Sequence, residues 1–287
     1  MKQLSKFYPL HLLTLAAFVL LSVKATGGVD VIKLLLNVFL LQSWVPDNSY
    51  NFAFNGVAWF LSDVMFFYLL FPWLYSKIIH VGVKRLFVWI SIVLTAFIAL
   101  ASVVPGGLVN TLIYVFPPVR CIDFAVGILL YRLFRSERTL LLKRFLENRK
   151  HKIALSLVEA GIIIILLFTF IVYSFLTARV RCVALFWLFM AATIYLSAVT
   201  DNAGGALARL LHSKKTIELG GLSMEIFMVH PLVINIVKDV SVHSGIDLGY
   251  AVTAMITICL TLAAAYLLEK YFVSKLYSVL KNAVIKT

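Results

Sequence analysis

The sequence predicts an all-α polytopic integral membrane protein, a helical bundle of about eight transmembrane helices with one further re-entrant or interfacial segment. Three observations predict it. Hydrophobic residues fill 62% of the 287 positions and charged residues only 14%, and mean hydropathy is +0.98; a water-soluble domain of this length needs far more polar surface. Apolar runs recur at close to the roughly 20 residues that cross a hydrocarbon core. No stretch between them is long enough for a sizeable soluble domain, so the chain reads as a single membrane domain over residues 1–287.

In chain order, the apolar runs predict spanning helices near 9–25, 56–76, 86–104, 119–134, 153–176, 182–200, 216–237 and 248–269. The run from Val29 to Trp44 is shorter, carries Lys33 and Asn37, and ends in the polar stretch Asp47 to Asn51. A run that stops before a bilayer is crossed is read as re-entrant or interfacial.

Charge supplies the expected orientation, because Lys and Arg accumulate in cytoplasmic loops. With the N-terminus cytoplasmic, twenty of the 26 basic residues fall on that side, among them Lys84, Arg85 and the run Arg132 to Lys152. Lys24, Lys33, Arg120, Arg179, Arg181 and Lys238 remain outside. The net charge of +13 is thereby assigned to topology and to anionic lipid headgroups, and no nucleic-acid partner is expected. The first helix serves as insertion signal, with no cleavage site evident. Cys121, Cys182 and Cys259 are too few and scattered for a metal site, and no metal is expected. They read as packing residues, with a Cys121 to Cys182 disulfide as the alternative.

Polar groups inside apolar spans are costly, so they are the first candidates for function. Trp59, Ser62 and Asp63 lie within about a turn of each other at one helix end, with Tyr68 deeper; the alternative is an interfacial Trp anchor with a Ser/Asp helix start. Arg120 and Asp123, three apart after Pro117-Pro118, share a face and are placed to pair. The Arg can hold an anionic or carbonyl group, or the two can form a structural ion pair. Glu225 and His230 stand in an otherwise apolar helix, and His suits proton transfer near neutral pH; the alternative is a packing role. Five residues apart, those two belong to different helix faces. Glu159 and Glu269 read as structural partners of basic groups.

At these segments the chain resembles the acyltransferase family three of integral membrane O-acyltransferases, which modify cell-surface polysaccharides and related glycans. Lys6-Phe7-Tyr8-Pro9-Leu10-His11 is similar to the start of that family's third helix. Trp59-Phe60-Leu61-Ser62 with Phe67-Tyr68-Leu69-Leu70-Phe71-Pro72 resembles its main signature. Arg120-Cys121-Ile122-Asp123-Phe124-Ala125-Val126-Gly127 and Gly220 through Pro231 resemble two later motifs. Departures accompany the matches. Val64 stands where the family has a signature Glu, with Asp63 one residue earlier, and Phe60 replaces a Ser. The two helices that carry the family's N-terminal Arg/His motif are expected to be missing, and His11 does not replace that His, because it belongs to the later Tyr-Pro-Leu-His segment.

The resemblance implies transfer of an acyl group, acetyl first among candidates, to a hydroxyl of an extracytoplasmic polysaccharide or glycolipid. The implied donor is cytoplasmic acetyl-CoA or another acyl-CoA, with no resident cofactor, and the implied setting is a bacterial inner membrane. His230 and Arg120 are the expected catalytic residues; Trp59, Ser62, Asp63, Tyr68 and Asp123 are the expected substrate contacts. The alternative class is a catalytically inactive member of the family or a component of glycan or lipid transport.

Overall fold

A computed structural model describes residues 4–183, 185–245, 248–276 and 278. Lys2, Lys281, Lys286 and the side chains of Lys6 and Cys182 lie outside the described residues, and with Cys182 the disulfide considered above. Fourteen α-helices are described. The first four are α1 (Leu4–Thr26), α2 (Val31–Val38), α3 (Asn48–Asn51) and α4 (Trp59–Ile78). Next come α5 (Val83–Val103), α6 (Pro117–Phe134), α7 (Glu137–Glu147), α8 (Lys152–Phe175) and α9 (Ala178–Val183). The chain continues through α10 (Leu185–Thr200), α11 (Ala206–Leu211), α12 (Lys214–Gly221), α13 (Ser223–Ser244) and α14 (Gly249–Leu268). No strand occurs among the described residues.

Five helical stretches among the described residues are long and apolar enough to cross a bilayer: Phe7–Thr26, Val83–Val103, Lys152–Phe175, Ser223–Ser244 and Gly249–Leu276. A sixth forms if Gly106–Tyr114 and Pro117–Phe134, bent by 51° against each other, are one span. The bend has a local cause. Pro117 and Pro118 have no N–H to continue a preceding helix, and their fixed φ suits the first turn of a new one. Only 11% to 33% of the residues in the five apolar windows are buried. That much exposed Leu, Ile, Val and Phe is incompatible with water and suits lipid. Two further predicted spans are helical as well, α4 with 20 residues and α10 with 16.

Two expectations need correction. The predicted span at 216–237 is divided: α12 ends at Gly221, where the Gly220-Gly221 pair is a poor helix former, and the apolar helix restarts at Ser223. The span therefore runs to Ser244 and takes in Lys238 and Asp239. Glu159 pairs with no basic group among the described residues. Its carboxylate accepts the backbone N–H groups of Ala206, Leu207 and Ala208 at 3.0, 3.1 and 3.4 Å, capping the first turn of α11. Glu269 accepts the Ser274 hydroxyl at 2.9 Å.

The chain divides into two compact units. The first comprises Met1–Met65 and Glu218–Thr287, the second Phe66–Ile217, so α4 and α12 are each shared. In the first unit α1 packs on α13 and α13 on α14. Its core gathers Phe7, Leu10, Leu40, Leu61, Met228 and Val273. In the second unit α8 packs on α10, α5 on α6, and α10 on α6 and α7. Two arginines there close helix ends. Arg132 donates to Ile78 O at 2.8 Å and also to Val81 O, while Arg179 donates to Ala101 O at 3.0 Å and also to Ser102 O. The last carbonyls of a helix lack intrahelical donors and carry partial negative charge, which a guanidinium satisfies directly.

The Glu159 cap is testable because Gly205 abuts it: a Cβ at Gly205 would lie 2.0 Å from Glu159 Oε1. Gly205→Ala and Glu159→Ala are each expected to lower the melting temperature in detergent by a few degrees, for a cap worth ~1–2 kcal/mol. Gly161→Ala, in α8 with nothing within 4 Å of the new Cβ, is the tolerated control. A second test concerns Asp47, which caps α3. The Ser49 backbone N–H, donating at 2.7 Å, and the Ser49 side chain hold this carboxyl below its ordinary range, with a smaller pull from Lys33. A depressed folded-state value means the cap is fully present above the ordinary carboxylate pKa and is lost as pH falls through the lowered one. Amide-exchange protection at Ser49 should fall in that acid window, and Asp47→Asn should remove the dependence.

Candidate functional site

The first unit contains a layer of polar side chains buried among apolar ones. His11, Thr14, Asn37, Gln42, Ser43, Asn55, Ser62, Asp63 and Glu225 are each at most 2% exposed. They come from α1, α2, the 3-10 turn Gln42–Trp44, the loop before α4, the start of α4, and α13. The segment read as re-entrant or interfacial explains much of the layer. After eight residues α2 stops, Leu40 takes a positive φ of 55°, and the chain turns back through Gln42–Trp44. That return carries Gln42 and Ser43 to the start of α4, where they donate to Ala58 O and Trp59 O, each at 3.0 Å.

Asn55 links elements remote from one another in sequence. Its amide donates to Met228 O on α13 at 2.9 Å and to Thr14 Oγ1 on α1 at 3.4 Å, joining three separate parts of the chain. Pro231 lies three residues on in α13 and has no N–H, so the carbonyl four residues before it, that of Phe227, loses its intrahelical donor. The residue before Asn55 is unusual too. Phe54 has φ of 56°, a conformation that a bulky side chain adopts only when its surroundings impose it.

His11 Nε2 lies 2.9 Å from Asn37 O. A carbonyl only accepts, so the proton of this contact belongs to Nε2; Nδ1 has no partner among the described residues. Asn55 Oδ1 and Ser62 Oγ are likewise buried without a partner there. Buried polar groups are nearly always hydrogen-bonded, so these atoms mark the layer as a candidate site.

Of the residues singled out from the sequence, the first unit holds Trp59, Ser62, Asp63 and His230. A run of ring contacts links Trp59 to His230: Trp59 to Phe60 at 6.2 Å, Phe60 to Phe227 at 5.6 Å, and Phe227 to His230 at 6.1 Å. Trp59 is buried, which does not suit an interfacial anchor, and Ser62 and Asp63 lie inside the helix rather than at its cap. His230 is half-buried and its Nδ1 lies 3.2 Å from Ile226 O one turn back. In the neutral ring that contact puts the proton on Nδ1 and leaves Nε2 as the acceptor. Glu225 is fully buried.

The second unit holds Tyr68, Arg120 and Asp123. Arg120 and Asp123 pair at 2.7 Å, as their spacing predicts, and the Arg120 guanidinium stands 5.8 Å from the Tyr114 ring centre. Tyr68 is exposed on α4, whereas neighbouring Phe67 and Phe71 pack on Phe124 of α6 at 5.5 and 5.6 Å.

Sequence reasoning passed over His11, Thr14, Gln42, Ser43 and Asn55 as site residues. A signal existed for the first two: Phe7, His11, Thr14 and Phe18 recur at helical spacing, so two polar residues lie on the buried face of an apolar helix. Asn55 had none, because its partners are remote in sequence.

An all-helical chain with lipid-compatible outer surfaces and a buried polar layer belongs to the class of polytopic integral membrane proteins. More narrowly, the chain belongs to acyltransferase family 3, since residues 1–270 match the family described as an acyltransferase domain. It is similar to the acyltransferase MdmB of Streptomyces mycarofaciens, with 31% identity over 152 residues. That match spans 47% of this chain and 39% of the relative's length. No solved structure matches the chain significantly.

The Asn55 links are expected to hold the first unit together. Asn55→Leu should destabilise the full chain in detergent by about 1–3 kcal/mol, the cost of leaving buried partners unpaired. Thermal unfolding followed by far-UV circular dichroism checks it, and an unchanged transition would mean that the amide contributes nothing.

Proposed function

We propose that this chain is a membrane O-acyltransferase that moves an acyl group, acetyl first among candidates, from a cytoplasmic acyl-CoA to a hydroxyl of an extracytoplasmic polysaccharide or glycolipid. The observation that carries the proposal is the family match over residues 1–270. The buried polar layer of the first unit supports it, because acyl transfer needs polar groups held in place away from bulk water.

His230 is assigned the proton. With Nδ1 engaged by Ile226 O, Nε2 is free to accept the hydroxyl proton as the hydroxyl oxygen attacks the thioester carbonyl. Collapse of the tetrahedral intermediate breaks the carbon–sulfur bond, and the departing thiolate takes that proton. Arg120 is assigned the stabilisation of negative charge on the substrate or the tetrahedral intermediate, and its pairing with Asp123 fixes the direction of its guanidinium. Trp59, Ser62, Asp63 and Tyr68 are assigned substrate contacts. The distribution of Lys and Arg supports a cytoplasmic N-terminus, and the family's role in modifying surface glycans supports a bacterial inner-membrane setting.

Cells given this chain should gain alkali-labile O-acyl ester on their surface polysaccharide, measured as hydroxamate after hydroxylamine treatment. His230→Ala and Arg120→Ala should each reduce the gain at least tenfold while membrane levels of the protein stay unchanged. Ester content unaltered by the wild-type chain, with an active family member run in parallel, would favour the inactive reading.

A further inference from the structure

Within the first unit an open cavity of about 500 Å³ lies between α1, α2, α3, the loop before α4, and α13. Its lining includes Ser22, Asp30, Lys33, Ser49, Phe54 and Asn235. The cavity shares its walls with the buried polar layer. On α1, Phe18 in the lining follows Thr14 by one turn, and on α13, Asn235 follows Met228 by two. Lys33 stands one turn before Asn37, and Phe54 adjoins Asn55. An acceptor group seated in the cavity would therefore lie roughly 6–10 Å along the helices from the layer that holds His11 Nδ1 and Asn55 Oδ1, both buried and without a partner among the described residues.

The chemistry of the walls selects a ligand class. Asp30 uses Oδ1 to cap α2, accepting from Ile32 and Lys33 N–H at 3.0 and 3.1 Å. The Lys33 ammonium stands 5.1 Å from the Tyr50 ring centre. One carboxylate and one ammonium leave the lining without a dominant charge. The Ser22 and Ser49 hydroxyls and the Asn235 amide can each donate and accept. Phe18 and Phe54 add flat apolar surface, and Phe54 is held there by its left-handed backbone. The volume falls within the usual range for small-molecule sites. A ring with hydroxyls around its edge and C–H groups on its faces meets every one of these features; a phosphate or an aliphatic chain does not.

We propose that this cavity binds a sugar ring as the acceptor subsite of the enzyme. The ligand's role as acceptor rests on the transferase reading, whereas its binding does not. The test uses the full chain in lipid nanodiscs without acyl donor, titrated with methyl α-D-glucopyranoside, methyl α-D-galactopyranoside and methyl β-D-glucuronide by saturation-transfer NMR. At least one glycoside should bind saturably. Ala53→Trp, which fills the cavity, and Asn235→Leu, at an exposed position, should each weaken it at least tenfold with an unchanged melting temperature. Absence of saturable binding, equal affinity in both variants, or saturation by glycerophosphoethanolamine alone would overturn the assignment. Ester transfer undiminished in both variants would also overturn it while sustaining the transferase. Variant-sensitive binding without any transfer would sustain the subsite and remove the transferase.

Discussion

The bond from Asn55 to the Met228 carbonyl ties the loop before α4 to α13 within the first unit. Inside a lipid-surrounded bundle a polar group has no water to fall back on, so its partner must come from the protein. Asn55 meets that demand with atoms from α1 and α13, the latter 173 residues away. The same demand draws Gln42 and Ser43 onto the carbonyls at the start of α4 and His11 onto the Asn37 carbonyl. A short helix and a tight return, too short to cross a bilayer, thus become the polar lining of the unit.

Charge in the second unit answers the same constraint at helix ends. Arg132 and Arg179 close carbonyl ends, and Glu159 closes the N–H end of α11 beside a glycine that leaves room for nothing larger. A formal charge placed on a helix terminus neutralises a partial charge that would otherwise be desolvated alone. The Arg120 and Asp123 pair differs, since its members remain partly exposed and belong to the same helix.

Helix breaks divide the chain into its working parts. Pro117-Pro118 starts α6 at an angle to the preceding turn, and Gly220-Gly221 separates α12 from α13. Each break was readable as composition.

The all-helical membrane character, most of the spans, the Arg120 and Asp123 pairing and the family motifs were legible in the sequence, because hydropathy, helical spacing and short motifs are local properties. The true start of α13 was blurred, since apolar residues run through the Gly220-Gly221 break. The buried layer was decided only by the tertiary structure. Gln42, Ser43 and Asn55 look like ordinary polar residues between helices until folding brings remote carbonyls within hydrogen-bond reach, and a single chain of letters carries no record of which distant backbone atom each one finds.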